Sequence, residues 1–132
     1  MSAIKNLNTL LRDMRPQLSP SVFAFSTVNE AKLKELSCKP LLVFHEAEGV
    51  TVVVDVPTAK SNCLDYSGEW SLITLTVHSD LNAVGLLAAV TRALADEGIS
   101  VNAVSAYYHD HLFVAKENAS RAMAVLEQLS QG

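Results

Sequence analysis

The residues of this chain best suited to chemistry lie between Asp80 and Leu86, where a polar turn leads into a helix. Asp80 and Asn82 carry acceptor oxygens, and Gly85 has no side chain to keep a ligand away from the backbone. The first amides of a helix lack intrahelical acceptors and carry partial positive charge, so they can bind an anionic group. We therefore predict a small-molecule site formed by Asp80, Asn82, Ala83, Val84, Gly85 and Leu86.

An amino acid would fit the chemistry of this turn. Its carboxylate would accept hydrogen bonds from the backbone amides of residues 83–86. Its ammonium group, which can donate three hydrogen bonds, would meet the Asp80 carboxylate or the Asn82 side-chain carbonyl. The alternative is structural: Asp80 or Asn82 caps the helix, and Gly85 serves only the packing of the helix on the sheet.

Three further side chains are predicted to surround this site without being its main ligand contacts. His78 ends the strand that precedes the turn, and Tyr107 and Tyr108 follow a later strand. Adjacent residues of a strand point to opposite faces, so we expect one tyrosine ring in the core and the other on the surface or in the pocket.

His109, Asp110 and His111 are weak candidates for metal ligands. Two imidazoles and a carboxylate suit zinc, with His78 as an additional ligand. Their spacing matches no usual zinc signature, and His and Asp also suit the turn of a hairpin. We therefore expect no metal here.

The sequence contains no recognisable catalytic arrangement. His78, Ser79 and Asp80 are contiguous and cannot adopt triad geometry among themselves. The nucleophile-elbow, phosphate-loop and zinc-protease motifs are absent from the sequence. We expect a protein that is not an enzyme and needs no cofactor.

Composition excludes several kinds of partner. The net charge is -4, the isoelectric point is about 5.5, and no basic run occurs, so neither nucleic acid nor an anionic membrane surface is an expected partner. No apolar stretch approaches the ~20 residues that span a bilayer.

The first sixteen residues resemble no signal peptide, so we expect a cytoplasmic protein with reduced Cys38 and Cys63. A disulfide between these two cysteines is the alternative.

Periodicity and capping residues predict an alternation of helices and strands. The expected helices cover residues 3–15 (capped by Ser2 and ended by Pro16 and Pro20), 30–36 (capped by Asn29), 57–63 and 84–97, and a last helix, capped by Asn118, carries apolar residues from Ala119 to Leu129. The expected strands cover residues 22–28, 41–46, 50–56, 70–78, 101–108 and 111–115.

Three turns carry specific expectations. Gly49 should supply a positive φ in the hairpin that joins residues 41–46 to 50–56. Gly98 should end the strongest helix, with Ile99 making the hydrophobic contact that accompanies such a stop. The second hairpin should turn at His109 and Asp110.

The order of elements predicts an α+β fold of two tandem βαββα units, with mixed, mostly antiparallel sheets and helices on one face. The polar segment 65–69 is the best candidate for a linker. We therefore predict two domains, residues 1–66 with the N-terminal helix and a degenerate unit, and residues 67–132 with the second unit.

The segment VHSDLNAVGLLAAVTRALADEGISVNAVSAYY resembles the ACT domain, a ferredoxin-like βαββαβ module of amino-acid-responsive regulators. The matching features are the acidic turn after the first strand, Gly-Leu-Leu opening the helix and Leu-Ala-x-x-Gly-Ile ending it. The resemblance covers about residues 70–131, and the first half resembles a shortened copy. With its HDHLFV segment, the chain is similar to small free-standing bacterial ACT proteins whose molecular function is not established.

This resemblance implies a non-enzymatic regulatory protein that binds a small effector, first of all an amino acid, between two copies and through the turn after the first strand. The usual Asp-Arg-Pro-Gly turn is replaced here by residues 80–85, two residues longer and without proline. Open strand edges predict a homodimer. The alternatives are a ligand-free oligomerisation module, and a metal protein or enzyme built on His109 and His111.

Overall fold

The computed structural model describes residues 6–132, and these residues confirm the predicted α+β class. The helices are α1 (Leu7–Asp13), α2 (Glu30–Glu35), α3 (Val56–Ser61), α4 (Leu86–Asp96) and α5 (Ala119–Gln131), with a 3-10 turn at Lys116–Asn118. The strands are β1 (Pro16–Val28), β2 (Leu42–His45), β3 (Val50–Asp55), β4 (Trp70–Leu75), β5 (Val101–Ser105) and β6 (Asp110–Ala115).

The chain forms two compact units, one from residues 6–20 and 71–132 and the other from residues 21–70. Helix α1 therefore packs with the second half of the chain, whereas we predicted it beside the first half. The reason is burial, because Leu10 and Met14 are fully buried in the core of residues 71–132. The predicted domains 1–66 and 67–132 describe the two repeated units of the sequence. The division into compact units does not test that repeat, so these domain bounds stay a prediction.

Helix α1 begins at Leu7, with the Asn6 side chain accepting a hydrogen bond from the Thr9 amide at 3.1 Å. The predicted cap, Ser2, lies outside the described residues. Helix α1 ends before Pro16, as predicted. Pro20, however, does not take part in ending the helix, because β1 already begins at Pro16 and Pro20 lies inside that strand. Proline is tolerated at the start of a strand, where its missing N–H costs no hydrogen bond.

The larger unit has one apolar core between its helices and its strands. Strands β4, β6 and β5 lie side by side in that order, and β5 pairs antiparallel with β6. The amphipathic face of α4 buries Leu86, Val90 and Leu94, as its spacing predicts. Further fully buried members of this core are Leu10, Met14, Ile73, Leu75, Leu112, Val114, Ala122 and Leu126.

The second hairpin forms as predicted, but its turn lies earlier than expected. The turn comprises residues 106–109, where the Ala106 amide donates to the His109 carbonyl at 3.0 Å. Asp110 and His111 therefore belong to β6 rather than to the tip. Ser105 and Asp110 face each other across the hairpin, and the Ser105 hydroxyl donates to the Asp110 carboxylate at 2.7 Å.

The end of α4 confirms the predicted glycine stop. Gly98 has a φ of 73°, and its amide donates to the Ala95 carbonyl at 2.9 Å. The amide of Ile99 donates to Leu94 at 3.0 Å, and the Ile99 side chain is buried. Asn118 is the N-cap residue of α5 as predicted, but its side chain makes no capping hydrogen bond, because the helix begins through a 3-10 turn and the Asn118 side chain accepts from Arg121.

The smaller unit is built on three antiparallel strands in the order β2-β3-β1. Its first hairpin is confirmed, but Gly49 does not have the predicted positive φ. Glycine is needed there for space, because a Cβ at this position would lie 2.8 Å from the Thr27 hydroxyl oxygen. Asn29 caps α2 as predicted, its side chain accepting from the Lys32 amide at 2.8 Å.

The structure also bears on the predicted state of the two cysteines and on the predicted absence of membrane-spanning helices. Cys38 and Cys63 are both exposed and unlinked, so the alternative of a disulfide is wrong. Between residues 6 and 132, none of the helices combines the length and the hydrophobicity required to cross a bilayer.

Asp55 provides a test of how capping stabilises the smaller unit. Hydrogen bonds from the Thr58 hydroxyl and amide lower the pKa of the Asp55 carboxyl below its ordinary value, and the amide bond measures 2.8 Å. A lowered pKa stabilises the fold above the unfolded-state value of about 3.9, and this stabilisation is lost as the pH falls through the folded-state value. We expect Asp55→Ala to cost about 1 kcal/mol at neutral pH and less at about pH 3, where the carboxyl of the unfolded chain is largely protonated.

Chemical denaturation at both pH values measures this difference. Asn29→Ala is the matched control, because it removes an uncharged cap from α2 in the same unit. Its cost should be the same at both pH values. Equal costs of Asp55→Ala at the two pH values would contradict the assignment.

Candidate functional site

A concavity of about 130 Å³ opens where α4 begins, and it includes part of the predicted site. Of the six predicted residues, four line it, whereas Asn82 and Val84 do not. Val84 is instead exposed to solvent, with a relative exposure of 84%. The complete lining consists of Ser79, Asp80, Leu81, Ala83, Gly85, Leu86, Leu87, Ala88, Ser105 and Asp110.

Asp80 shapes the turn that forms one wall of the concavity. Its carboxylate accepts a hydrogen bond from the Asn82 amide at 2.7 Å, and its carbonyl accepts one from the Ala83 amide at 2.9 Å. Asp80 is thus engaged within the turn, and Gly85 rather than Asp80 is the N-cap residue of α4. The alternative prediction, that Asp80 or Asn82 caps this helix, is wrong.

Gly85 is the N-cap of α4, and two constraints require glycine there. Its φ is 103°, a conformation that residues with a Cβ rarely adopt. An added Cβ would also lie 3.2 Å from a terminal carbon of Leu7, which is tighter than ordinary van der Waals contact. The backbone must therefore turn into α4 without the side chain of a conventional capping residue.

The first residues of α4 line the concavity, and their N-cap residue supplies no side-chain cap. Gly85 makes no side-chain cap hydrogen bond, and the first helical bond runs from the Ala89 amide to the Gly85 carbonyl at 2.9 Å. The amides of residues 86–88 precede that bond and have no acceptor within the helix. All three residues line the concavity, which gives this wall partial positive charge.

The β5–β6 hairpin supplies a negatively charged group to the concavity. Asp110 is 8% exposed, and it lines the same concavity as the start of α4. Ser105 also lines it and donates to that carboxylate at 2.7 Å. The sequence prediction missed Ser105 and assigned Asp110 only to a metal. Correct placement of the hairpin turn would have brought Ser105 opposite Asp110 and revealed the pair.

Together these walls place donors and acceptors within one small volume. The helix start offers N–H donors with positive potential, and Asp80 and Asp110 offer carboxylate oxygens. Such an arrangement suits a molecule that carries both a negative and a positive group.

The predicted surrounding side chains form an aromatic group at the hairpin turn. The rings of Tyr107 and Tyr108 meet edge to face at 4.9 Å, and His78 lies 5.6 Å from Tyr108. The prediction that the tyrosines point to opposite faces of a strand is wrong, because both lie in the turn and both are exposed. None of the three lines the concavity.

His109 and His111 do not assemble a metal site with Asp110. Their ring centroids are 6.4 Å apart, and His111 Nδ1 is hydrogen bonded to the Thr74 hydroxyl at 2.9 Å. Throughout residues 6–132, no group of three or more His, Cys, Asp or Glu side chains is arranged to hold a metal ion.

Comparison with protein families identifies two matches along the chain. One ACT-domain model matches residues 2–71, and a second ACT-domain model matches residues 68–128. A search of the curated proteins finds no match.

Solved structures extend the similarity to the fold. A protein of unknown function from Vibrio cholerae, described as a possible transport protein, is 46% identical; the match covers 98% of this chain and 99% of that one, with a TM-score of 0.85. The regulatory subunit of aspartate kinase from Thermus thermophilus, in a ligand-free form, is 9% identical and has a TM-score of 0.71. That match covers 86% of this chain and 95% of the subunit, and it indicates a shared fold alone.

Replacement of Gly85 tests the backbone constraint at the site. We expect Gly85→Ala to destabilise the protein by more than the ~1–2 kcal/mol of a left-handed backbone alone, because its Cβ also meets Leu7. Gly98→Ala is the matched control, since Gly98 shares the positive φ but has open space around an added Cβ. Thermal and chemical denaturation give both values. An equal loss in the two variants would contradict a steric role for Leu7.

His111 gives the site a predicted pH dependence. Burial, and then the charge of His109, lower the pKa of His111 below its ordinary value, while Asp110 opposes the shift. The unfolded chain therefore takes up this proton at higher pH than the folded chain does. Stability should fall as the pH drops below about 6.5.

We expect His111→Asn, which keeps an acceptor for Thr74 but cannot take up the proton, to flatten the pH dependence of stability between about pH 7.5 and pH 5.5. Denaturation midpoints across this range provide the measurement. Parallel pH profiles for the wild type and the variant would rule out this role of His111.

Proposed function

Because this chain belongs to the ACT-domain family, we propose that it is a non-enzymatic regulatory protein that binds a small amino acid at the start of α4. ACT domains generally bind amino acids in regulatory proteins. The observation that carries the proposal is the position of the uncapped start of α4 and of buried Asp110 around one concavity.

The ligand carboxylate would bind to the amides of residues 86–88. Three N–H groups at the positive end of a helix favour an anion by charge and by direction. Gly85 supports this contact, since it presents backbone without a side chain beside the first amide.

The ligand ammonium group would bind to the Asp110 carboxylate. A buried carboxylate gains from a cationic partner more than an exposed one does, because solvent screens the charge less. Ser105 uses one oxygen of Asp110 and fixes the orientation of the carboxylate. Asp80, on the facing turn, adds a second acidic group to the same volume.

The size of the concavity favours a small ligand. Its volume of about 130 Å³ lies below the ~300–1,000 Å³ of pockets that hold drug-sized molecules. A small amino acid such as glycine, alanine or serine therefore fits the proposal better than an aromatic amino acid or a nucleotide.

Binding would regulate by changing an association equilibrium. The ligand would order residues 80–85 and would favour one association state of a homodimer, or of a partner protein, over the other. Such an effect requires a different ligand affinity for the two states. We place this function in the cytoplasm, in line with the exposed, unlinked cysteines.

A ligand-free oligomerisation module is the second candidate. It is favoured by the hydrogen bond between Ser105 and Asp110, which already supplies the carboxylate with a native partner. In that case the concavity would hold only water.

Calorimetric titration and thermal denaturation with glycine, alanine and serine distinguish the two candidates. At a ligand concentration of 100 times the dissociation constant, binding should stabilise the folded protein by about 2.7 kcal/mol. Asp110→Asn should abolish this stabilisation while keeping an acceptor for Ser105. Asp96→Asn is the matched control, because it removes the same charge from an exposed position of α4.

Modified ligands test the two proposed contacts separately. The methyl ester of the bound amino acid loses the carboxylate charge, and the N-acetyl derivative loses the ammonium charge. Each should bind much more weakly than the parent amino acid. Equal binding of the parent to the wild type and to Asp110→Asn, or no binding of any small amino acid, would overturn the proposal.

A further inference from the structure

The smaller unit contains an open concavity of about 580 Å³ on its sheet. This volume lies within the ~300–1,000 Å³ of pockets that hold small organic molecules. The lining combines aromatic residues, residues with hydroxyl groups and one acidic residue, and it consists of Phe25, Ser26, Thr27, Thr51, Asp65, Tyr66 and Ser67. All of them belong to residues 21–70, so this concavity is separate from the one at the start of α4.

Strands β1 and β3 form the floor of the concavity. Thr27 lies opposite Thr51 in their antiparallel pairing, and Phe25 lies two positions before Thr27, so these three side chains share one face. The neighbouring residue Ala24 points to the other face, where it belongs to the same buried cluster as Ala59 of α3. The floor therefore lies on the face of the strands opposite α3.

Residues 65–67 form one wall of the concavity, and they are attached to β1. The Ser26 hydroxyl donates to the Asp65 carbonyl at 2.7 Å, and Ser26 is itself buried. Tyr66 packs against the buried cluster that contains Ala24. The wall is thus held at two points, which keeps Asp65 beside the floor. The hydrogen bond uses the backbone carbonyl of Asp65 rather than its carboxylate.

Phe44 adds an exposed aromatic ring beside the floor. It lies opposite Thr51 in the pairing of β2 with β3, so the two side chains share a face. Phe44 is 64% exposed. Phe25, in contrast, is half-buried and meets the Trp70 ring edge to face, with 5.9 Å between the ring centroids. An apolar molecule in the concavity would therefore remove aromatic surface from water.

The charge around the concavity favours a cation. Asp65 lines it, and none of the described residues that line it is basic. The Thr51 hydroxyl donates to the Glu46 carboxylate, which places a second acidic group next to the floor. Both carboxylates would repel an anion, whereas a neutral molecule would gain no charge attraction from them.

We propose that this concavity binds a small organic cation, a primary amine carried on an aromatic body. The ammonium group would meet Asp65, with Glu46 adding attraction from the other side of the floor. The ring would lie on Phe25 and against Phe44, and the Thr27 hydroxyl would accept a further hydrogen bond from the ammonium group. This site does not depend on the proposed amino-acid site, because no helix start lines it and its ligand needs no carboxylate.

Three ligands of similar size separate charge from shape: 2-phenylethylamine, 2-phenylethanol and 3-phenylpropionate. In calorimetric titrations of the full chain, we expect the amine to bind roughly threefold to fivefold more tightly than the alcohol, the gain of about one exposed ion pair. The propionate should bind most weakly. Propylamine, which lacks the ring, should bind much more weakly than 2-phenylethylamine. Trp70 is the one tryptophan of the chain and contacts Phe25, so its fluorescence should change as the amine saturates the protein.

Asp65→Asn tests the charge contact. It keeps the backbone carbonyl that Ser26 binds, so the wall should stay in place. We expect it to remove most of the advantage of the amine over the alcohol and to leave the affinity for the alcohol unchanged. Glu35→Gln is the matched control, because it removes the same charge from an exposed position of α2 outside the concavity.

Phe44→Ala tests the apolar contact. It should weaken the binding of the amine and of the alcohol equally, by at least about threefold, since both carry the ring. Leu41→Ala is the matched control, because Leu41 is another exposed apolar residue, 53% exposed, and lies just before β2. Circular dichroism confirms that both variants are folded.

Equal binding of 2-phenylethylamine and 2-phenylethanol by the wild type would overturn the proposal. So would amine binding that Asp65→Asn and Phe44→Ala leave unchanged, because the ligand would then lie elsewhere, and so would the absence of any amine binding. None of these results would affect the titrations with small amino acids, which concern a concavity in the other compact unit.

Discussion

The backbone conformation at Gly85 is the constraint on which the candidate site depends. A φ of 103° brings the chain from the Asp80 turn into α4 without a capping side chain. A conventional cap would place its own oxygen on the first amides and fill the positive end of the helix. Here those amides line a concavity instead, and Leu7 closes the space on the side where a Cβ would project. One glycine therefore determines both the packing of α1 near α4 and the accessibility of the helix start.

The apolar core of the larger unit fixes the two elements beside the concavity, the start of α4 and the β5–β6 hairpin. Leu86 is buried beside the first free amides, which fixes the start of α4 against the apolar core. The β5–β6 hairpin enters the same core through Leu112 and Val114, and this anchors Asp110 at the rim of the concavity. The start of α4 and Asp110 thus belong to elements that are anchored in the core, and such support favours a preorganised small-molecule site.

The sequence predicts the class of the fold and the type of nearly every element, because capping residues and apolar spacing are local signals. The stop at Gly98 and the cap at Asn29 follow from such signals. Several of the predictions that fail depend on distant contacts. Gly49 is required by Thr27, 22 positions away in the same unit, and α1 joins the second half of the chain through Leu10 and Met14. Ser105 enters the site only through the register of its hairpin, which the misplaced turn concealed.

The central claim is that the amides at the start of α4 receive the carboxylate of a small amino acid. Titration of ¹⁵N-labelled protein with glycine, alanine and serine, followed by amide chemical shifts, tests this claim residue by residue. The account predicts saturable shifts at the amides of residues 86–88 and near Asp110, and no comparable shifts in residues 21–70. Shifts confined to other regions, or no shifts with any of the three amino acids, would contradict it.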